Sequence, residues 1–380
     1  MKNALIAACV VLGGAALPSA QIAPIALPRV APTVDQILSL KRAGSPEISP
    51  DGRWVAYTVR ETNWDDNAYE TEIWLADAAT GAARQLTNAK KSSQSPAWSP
   101  DGSKLAFVSD RTDKRQIYLI SPRGGEAEAL TSVEDGIGSF AWSPDGRTIA
   151  YTATEAKPAA IKDRDKKYGE FQVVEQDHRM THLFAIDAAT RATRTLTSGA
   201  FTVGSFSWSP DGRSIAFDHR VNPLLANGGS ADISIVTVAD ASVRTLVTQE
   251  GPDSNPVWSP DGSRIAFQTA MANPAFFYTN SVIATIPAGG GAPTVLSSAF
   301  DEDPSIVAWK PNGLFFAASA RTYSYLYKLD PETKTVTTVS PADRTVNSSF
   351  SLSKDGQAIA SLRSAPTRSR WPRCTSDRRS

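Results

Sequence analysis

A five-residue motif that recurs along the chain constrains the fold more than any other feature. Trp-Ser-Pro-Asp-Gly stands at residues 98–102, 142–146, 208–212 and 258–262, and diverged copies end at Gly52, Gly313 and Gly356. Proline sets φ for the second position of a tight turn, and glycine supplies the left-handed residue with which a bulged hairpin closes. An apolar run follows most copies, as expected of a buried strand. Each copy therefore predicts a strand, a tight turn and a second strand.

The second half of each repeat decides the architecture. Segments such as TEIWLADAATGAARQLT (71–87) and THLFAIDAATRATRTLT (181–197) contain an apolar-aromatic strand, a small turn and a strand ending in Leu-Thr. Four strands in a repeat of about 40–50 residues are typical of a propeller blade. The chain is therefore predicted to be all-β, a β-propeller of about seven four-stranded blades. The last blade is expected to be incomplete, because Pro372 would interrupt its third strand.

The repeated side chains are assigned to structure rather than to catalysis. A catalytic residue is needed once, whereas a turn is needed in every blade, so the aspartate–glycine pairs are predicted to be structural blade turns. These pairs are Asp51 and Gly52, Asp101 and Gly102, Asp145 and Gly146, Asp211 and Gly212, and Asp261 and Gly262. The repeated tryptophans are predicted to form the core between blades: Trp98, Trp142, Trp208, Trp258 and Trp309.

The beginning of the chain has the composition of an export signal. Residues 1–20 place Lys2 ahead of an apolar run and end in the small residues Ser19 and Ala20, which is typical of a cleaved signal peptide. An uncleaved anchor is the alternative. The mature chain is expected to be periplasmic or secreted, without a membrane attachment after cleavage.

Three further segments follow the signal. Residues 21–46 are predicted to be an extended arm and a short helix, which Thr33 and Gln36 would cap. Residues 47–362 form the predicted propeller. Residues 363–380 are rich in arginine and lack apolar alternation, so they are interpreted as an aberrant, frameshifted end or as a disordered basic tail.

An insertion lengthens the third repeat. Residues 154–180 are highly charged and interrupt the step between the second and third strands of that blade. One interpretation is a solvated loop. The other is a loop that reaches a partner domain or a substrate, since propeller loops often carry function.

No constellation for catalysis or metal binding emerges from the sequence. A Gly-x-Ser-x-Gly elbow is absent, and the histidines are His178, His182 and His219. The spacing of the first two would suit one face of a helix, but their context is strand and loop. The acidic run 301–303 is interpreted as a solvated loop, with a cation contact as the alternative. We therefore predict no catalytic residue, no metal site and no cofactor in this chain.

Overall composition excludes a few classes. The formal net charge is zero and the pI is near 6.9, so nothing indicates a nucleic-acid partner. The two cysteines, Cys9 and Cys374, lie outside the predicted propeller. A disulfide framework or a cysteine-based metal site in the propeller is therefore excluded.

The repeats and the segment before them resemble the N-terminal β-propeller of the prolyl oligopeptidase family of serine peptidases, which includes acylaminoacyl peptidases and dipeptidyl aminopeptidases. The resemblance rests on TVDQILSLKRAGSPEISPDGRWVAYTV (33–59), where a short helix leads into the first Ser-Pro-Asp-Gly turn. It also rests on VVEQDHRMTHLFAID (173–187), which is similar to the third blade of exported members. The similarity covers roughly residues 33–362.

In that family the propeller precedes an α/β-hydrolase domain with the catalytic Ser, Asp and His, and it restricts the active site to short peptides. The resemblance implies that this chain is the substrate-gating propeller of an exported peptidase, truncated at its C-terminal side. Its implied partners are the catalytic hydrolase domain and short peptides. No position matches the family's triad, so we expect the chain to be inactive alone.

Two other functions stay open. The first is a standalone TolB-like propeller that binds periplasmic proteins or peptides, and the second is a propeller lectin that binds a sugar or another ligand. An incomplete ring favours a fragment, because ring closure removes exposed strand edges. A TolB-like protein would also carry a separate N-terminal α/β domain, for which residues 21–46 are too short.

Overall fold

The fold is a ring of antiparallel sheets in a computed structural model that describes residues 31–340 and 346–364. Six sheets have four strands each, and the strands of every sheet follow one another in sequence order. A further sheet contains two strands. The prediction of an all-β propeller is therefore confirmed.

The strands follow the repeats closely. One helix and the strands of blades one to three are α1 (Val34–Leu38), β1 (Arg42–Ile48), β2 (Trp54–Asn63), β3 (Ala68–Asp77), β4 (Ala83–Gln85), β5 (Ser93–Trp98), β6 (Leu105–Ser109), β7 (Gln116–Ile120), β8 (Glu128–Ala129), β9 (Phe140–Trp142), β10 (Thr148–Thr154), α2 (Ala159–Tyr168), β11 (Thr181–Asp187) and β12 (Thr193–Thr195). Blades four to six contain β13 (Thr202–Trp208), β14 (Ser214–Arg220), β15 (Asp232–Thr237), β16 (Val243–Val247), β17 (Asp253–Trp258), β18 (Arg264–Thr269), β19 (Val282–Pro287), β20 (Thr294–Val295), β21 (Ser305–Lys310), β22 (Gly313–Ala320), β23 (Tyr323–Leu329) and β24 (Val336–Thr338).

The last sheet, here called sheet seven, consists of β25 (Val346–Leu352) and β26 (Ile359–Ser364). Leu352 packs against blade six, and Ala358 and Ala360 pack against blade one, so sheet seven fills the ring between those blades. The number of four-stranded blades among the described residues is therefore six rather than about seven. The seventh repeat supplies only its hairpin there, because the apolar alternation that builds outer strands ends near Leu362.

The core lies between the blades. The second strand of most blades carries a phenylalanine, such as Phe107, Phe217 and Phe267, whose side chain is fully buried. These rings pack against apolar residues of the neighbouring blade, and this pattern repeats from one blade interface to the next. Burial of a side chain of this size contributes roughly 2–3 kcal/mol per residue, so the blade interfaces hold the ring together.

The chain enters the propeller through the predicted capped helix. The Thr33 hydroxyl accepts from the Gln36 N–H, and the Gln36 side chain accepts from the Thr33 N–H, which confirms the capping box. The first strand begins at Arg42 and so takes in residues that the sequence assigned to the arm. The predicted signal peptide and the predicted tail beyond Ser364 lie outside the described residues.

Candidate functional site

The Ser-Pro-Asp-Gly turns lie on one end of the ring, here called the turn face. A Cβ placed on Gly146 would stand 3.3 Å from Cδ of Pro100, which is the turn proline of the blade before it. The other turn glycines approach the turn proline of the blade before theirs in the same way: Gly102, Gly212 and Gly262. Each aspartate accepts a hydrogen bond from its own turn, such as the 2.6 Å bond from the Ser99 hydroxyl to Asp101. That bond, together with those from the Ser103 N–H and hydroxyl, lowers the pKa of Asp101 to about 2. The carboxylates are engaged in separate turns and are not brought together.

The tryptophans of the motif reach toward the preceding blade. The indole N–H of Trp98 donates to the Glu47 carbonyl over 3.0 Å, and Trp142 and Trp208 make the equivalent bonds at 3.2 and 3.1 Å. Trp98, Trp258 and Trp309 are buried, and Trp142 and Trp208 are half-buried. All five side chains pack in the clusters that join neighbouring blades.

A repeated β-bulge in the first strands is a feature that sequence analysis missed. The pairing of the first and second strands shifts register in blades one, two, four, five and six and in sheet seven. Ser45, Ser95, Asn255 and Ser349 lie at the shift with φ between 42° and 53°. Bulges redirect side chains and cluster near functional sites. Neighbouring first strands contact each other at most blade interfaces, which places them innermost in the ring. Ser45, Ser95 and Ser349 are exposed there, whereas the Asn255 side chain donates to Gln268 and to the Ile306 carbonyl.

A buried carboxylate ties two of the bulges together. Asp218 accepts hydrogen bonds from the N–H and hydroxyl of Ser205 in its own blade and from the N–H of Asn255 in the next blade. Burial raises the pKa of Asp218, although these hydrogen bonds oppose the shift. The carboxylate therefore fixes the backbone that lines the channel between blades four and five.

Gly204→Ala is expected to destabilise the protein by about 2 kcal/mol, although Gly204 is exposed. A Cβ there would lie 2.1 Å from Oδ1 of Asp218, so the carboxylate must move and lose hydrogen bonds, a form of overpacking. Urea unfolding measures the change. Gly289→Ala is the control, because a Cβ there meets nothing within 4 Å. Equal effects of the two substitutions would contradict the role of Asp218.

The opposite end of the ring, here called the loop face, carries the connections between second and third strands. Large apolar side chains are exposed on these connections and at the strand ends beside them: Trp64, Tyr69, Tyr168, Phe171, Val174, Val221, Leu225, Phe277, Tyr278 and Val346. The connections 221–231 and 270–281 contain no charged residue. Phe276 touches Gly229, so these two connections form one apolar patch across blades four and five. Such patches mark interaction surfaces.

The insertion of blade three lies on the same face and connects β10 to β11, as predicted. Residues 154–180 contain α2 and are held by ion pairs, including Arg164–Asp177 at 2.7 Å and Arg179–Asp135 at 2.5 Å. These ion pairs hold the insertion in a defined conformation on the loop face. Its charges contrast with the uncharged patch across blades four and five.

The histidines do not form a site. His182 is buried against Phe201 and lies 3.4 Å from Glu155. His219 bonds to the Ser234 hydroxyl at 2.8 Å, and burial lowers the pKa of this histidine. No group of three or more potential metal ligands occurs among residues 31–340 and 346–364.

Comparison with known sequences finds related propellers. Residues 33–180 match the TolB beta propeller domain family. Over this segment, which is less than half of its length, the chain is similar to TolB propeller domains. A curated relative, the uncharacterized peptidase YuxL of Bacillus subtilis, is 38% identical over 79 residues, which are 21% of this chain and 12% of the relative. Dipeptidyl-peptidase 5 of Porphyromonas endodontalis is 27% identical over 97 residues, covering 22% and 14% of the two chains.

Solved structures share the propeller fold of this chain. The acylaminoacyl peptidase of Pyrococcus horikoshii superposes with a TM-score of 0.65 at 18% identity, over 84% of this chain and 48% of that one. The resemblance to peptidase propellers is thus confirmed. This chain spans about half of that peptidase, and the matched stretches are far shorter than the curated relatives. No helix among the described residues is long and apolar enough to cross a membrane.

Proposed function

We propose that this propeller covers the α/β-hydrolase domain of an exported serine peptidase of the prolyl oligopeptidase type and admits short peptides to it. The observation that carries the proposal is the exposed apolar patch on the loop face, where Phe277 is 78% and Tyr278 is 92% exposed. An uncharged patch of this kind is suited to a stable domain interface. The relatives named as peptidases supply the catalytic partner in this proposal.

The route to the active site in this proposal is the central channel. Its walls carry small polar residues at the bulges, such as Ser45, Ser95 and Ser349. Sheet seven packs against blade one on one side and blade six on the other, and these contacts close the ring. A closed ring cannot widen easily, because the blade interfaces are close-packed. We therefore infer that the channel selects peptides by size.

The purified chain is expected to show no turnover of aminoacyl or acylaminoacyl chromogenic peptides. The reason is chemical: the sequence has no Gly-x-Ser-x-Gly elbow. The Ser234 hydroxyl does bond to His219, but Ser234 is only 1% exposed, so a substrate cannot reach it. Release of the chromophore, compared with a buffer blank, measures the activity. Clear turnover by the chain alone would show that it contains a catalytic site of its own.

A reconstitution experiment tests the docking. A separately expressed hydrolase domain of the prolyl oligopeptidase family is mixed with this chain and assayed on a dipeptide and on a denatured protein. The proposal expects the chain to suppress cleavage of the protein substrate but not of the dipeptide. Phe277→Ser combined with Tyr278→Ser should abolish the suppression. Val243→Ser, an exposed position on β16 away from the patch, should not.

A second function has one supporting observation. The match to the TolB beta propeller domain family favours a binding module that docks envelope proteins or peptides after export. The same reconstitution, combined with a peptide-binding measurement, separates the two proposals. A propeller that leaves the hydrolase domain unaffected but binds labelled peptides in fluorescence anisotropy supports the binding module.

A further inference from the structure

A cavity on the loop face lies between blades one and two, at the rim of the channel. Its volume is about 310 Å³. Arg42 and Arg60 line it together with the polar groups of Ser45, Thr71, Gln94 and Ser95. No carboxylate belongs to its lining. The cavity is thus a pocket of hydrogen-bond donors and positive charge.

The two arginines stand directly opposite each other. Arg42 of β1 and Arg60 of β2 are Cα partners in the antiparallel ladder, so their side chains leave the same side of the sheet a few ångströms apart. Like charges in such a pair are destabilising. Among the described residues no acidic group lies within 4.0 Å of either guanidinium, since the ion pairs found there involve other residues.

A neighbouring ring orients Arg60 without neutralising its charge. The Arg60 guanidinium stacks over the Tyr69 ring at 3.8 Å from its centroid. The nearby Glu61 already pairs with Lys41 at 2.5 Å, and alternation along a strand puts those two on the other side of the sheet. The positive charge of Arg42 and Arg60 therefore stays available at the rim of the channel.

We propose that Arg42 and Arg60 bind the carboxylate of a peptide at the channel rim. Paired guanidiniums match the two oxygens of a carboxylate, and the flanking hydroxyls and the Gln94 amide can bond the adjoining peptide groups. The carboxylate part of this proposal rests on the arginine pair alone. The choice of a peptide as its carrier rests on the proposed function. The carboxylate belongs to the peptide's C-terminus or to an acidic side chain.

Fluorescence anisotropy with the full chain tests this site. The probes are three N-terminally labelled peptides: Ala-Ala-Ala-Phe as the free acid, the same peptide as the amide, and Ala-Ala-Asp-Phe as the amide. We expect the free acid, the aspartyl amide or both to bind at least tenfold more tightly than the uncharged amide. Preference for one of the two charged peptides identifies the source of the carboxylate. Equal binding of all three overturns the proposal.

Variants locate the effect. Arg42→Gln with Arg60→Gln should remove the tenfold preference and should not lower the melting temperature, because a like-charge pair is lost. Arg53→Gln on the turn face makes a similar change of charge at an exposed position and should keep the preference. If the Arg53→Gln protein also loses the preference for the charged peptides, the proposal is overturned. Displacement of the peptide by inorganic phosphate at equal concentration overturns it as well.

This binding assay needs no hydrolase domain, so its outcome is separate from the docking experiment. Carboxylate binding without docking would leave the arginine site standing and remove the proposed gating function. Docking without carboxylate binding would support the proposed gating function and overturn the arginine site.

Discussion

Phe217→Ala is expected to lower the free energy of unfolding by about 4 kcal/mol. The Phe217 ring is fully buried and packs with Leu183 and Leu196 of blade three and Val236 of its own blade. Truncation removes the transfer free energy of the ring and leaves a cavity that a close-packed joint cannot refill. Urea denaturation followed by tryptophan fluorescence measures the loss.

Phe277→Ala is the matched control for this prediction. It removes the same atoms from a ring that is 78% exposed on the loop face, so the free energy of unfolding should change by less than about 0.5 kcal/mol. The two variants separate residues that hold the ring together from residues that face a partner. A large loss of stability from Phe277→Ala would show that the apolar patch packs within the propeller.

Glu47→Gln is expected to stabilise the protein by about 2 kcal/mol at pH 8 and to have little effect at pH 4. Glu47 lies beside Ser351 of sheet seven and near Lys310 of blade six. Burial raises the pKa of Glu47 from 4.5 to about 7, and the Ser351 hydrogen bond and the Lys310 charge offset only part of this shift. One pKa unit corresponds to about 1.4 kcal/mol. The gain should be smaller than the full shift implies, because glutamine gives up the attraction to Lys310.

The sign follows from proton linkage. Between about pH 4.5 and 7 the folded state keeps the Glu47 proton while the unfolded state loses it, so the free energy of unfolding falls as pH rises. Above pH 7 the full cost of the buried charge is present, and below pH 4.5 it is absent. Stability curves from pH 4 to 8 for the wild type, Glu47→Gln and the exposed control Glu128→Gln measure this difference. A constant gap between the wild type and Glu47→Gln would contradict the assignment.

The part of the fold that sequence could predict is the part encoded locally. The turn around Asp101 needs only its own proline, glycine and serine, so four copies of the motif were enough to predict hairpins and then blades. The same holds for the capping box of Thr33 and Gln36. Blade six likewise follows its repeat, although lysine and asparagine replace two motif residues at Lys310 and Asn312.

The polar interior of the ring was harder to predict because its partners are far apart in sequence. Ser205 and Asn255 share the Asp218 carboxylate from two different blades, and no local pattern joins them. One signal was present: Ser95, Ser205 and Asn255 each stand three positions before a motif tryptophan.

The candidate sites on the loop face depend on strand register and on the meeting of separate blades. Arg42 and Arg60 become opposite neighbours through the register of β1 and β2, which the bulge between Gly44 and Glu47 shifts. The apolar patch arises where the connections 221–231 and 270–281 meet. Its sequence signal is the absence of charged residues in two loops that are expected to be solvated. This signal indicates an interaction surface only when both loops are known to lie on the same face.

The central claim is that this chain is the propeller part of a peptidase, and the encoding DNA tests it most directly. The measurement is to sequence the gene across codons 360–380 and beyond, and to translate all three frames. The account predicts a frame that supplies two more apolar strands for sheet seven, followed by a hydrolase domain with a Gly-x-Ser-x-Gly elbow. If none of the three frames contains such a domain, the claim is contradicted and the propeller acts as a binding module.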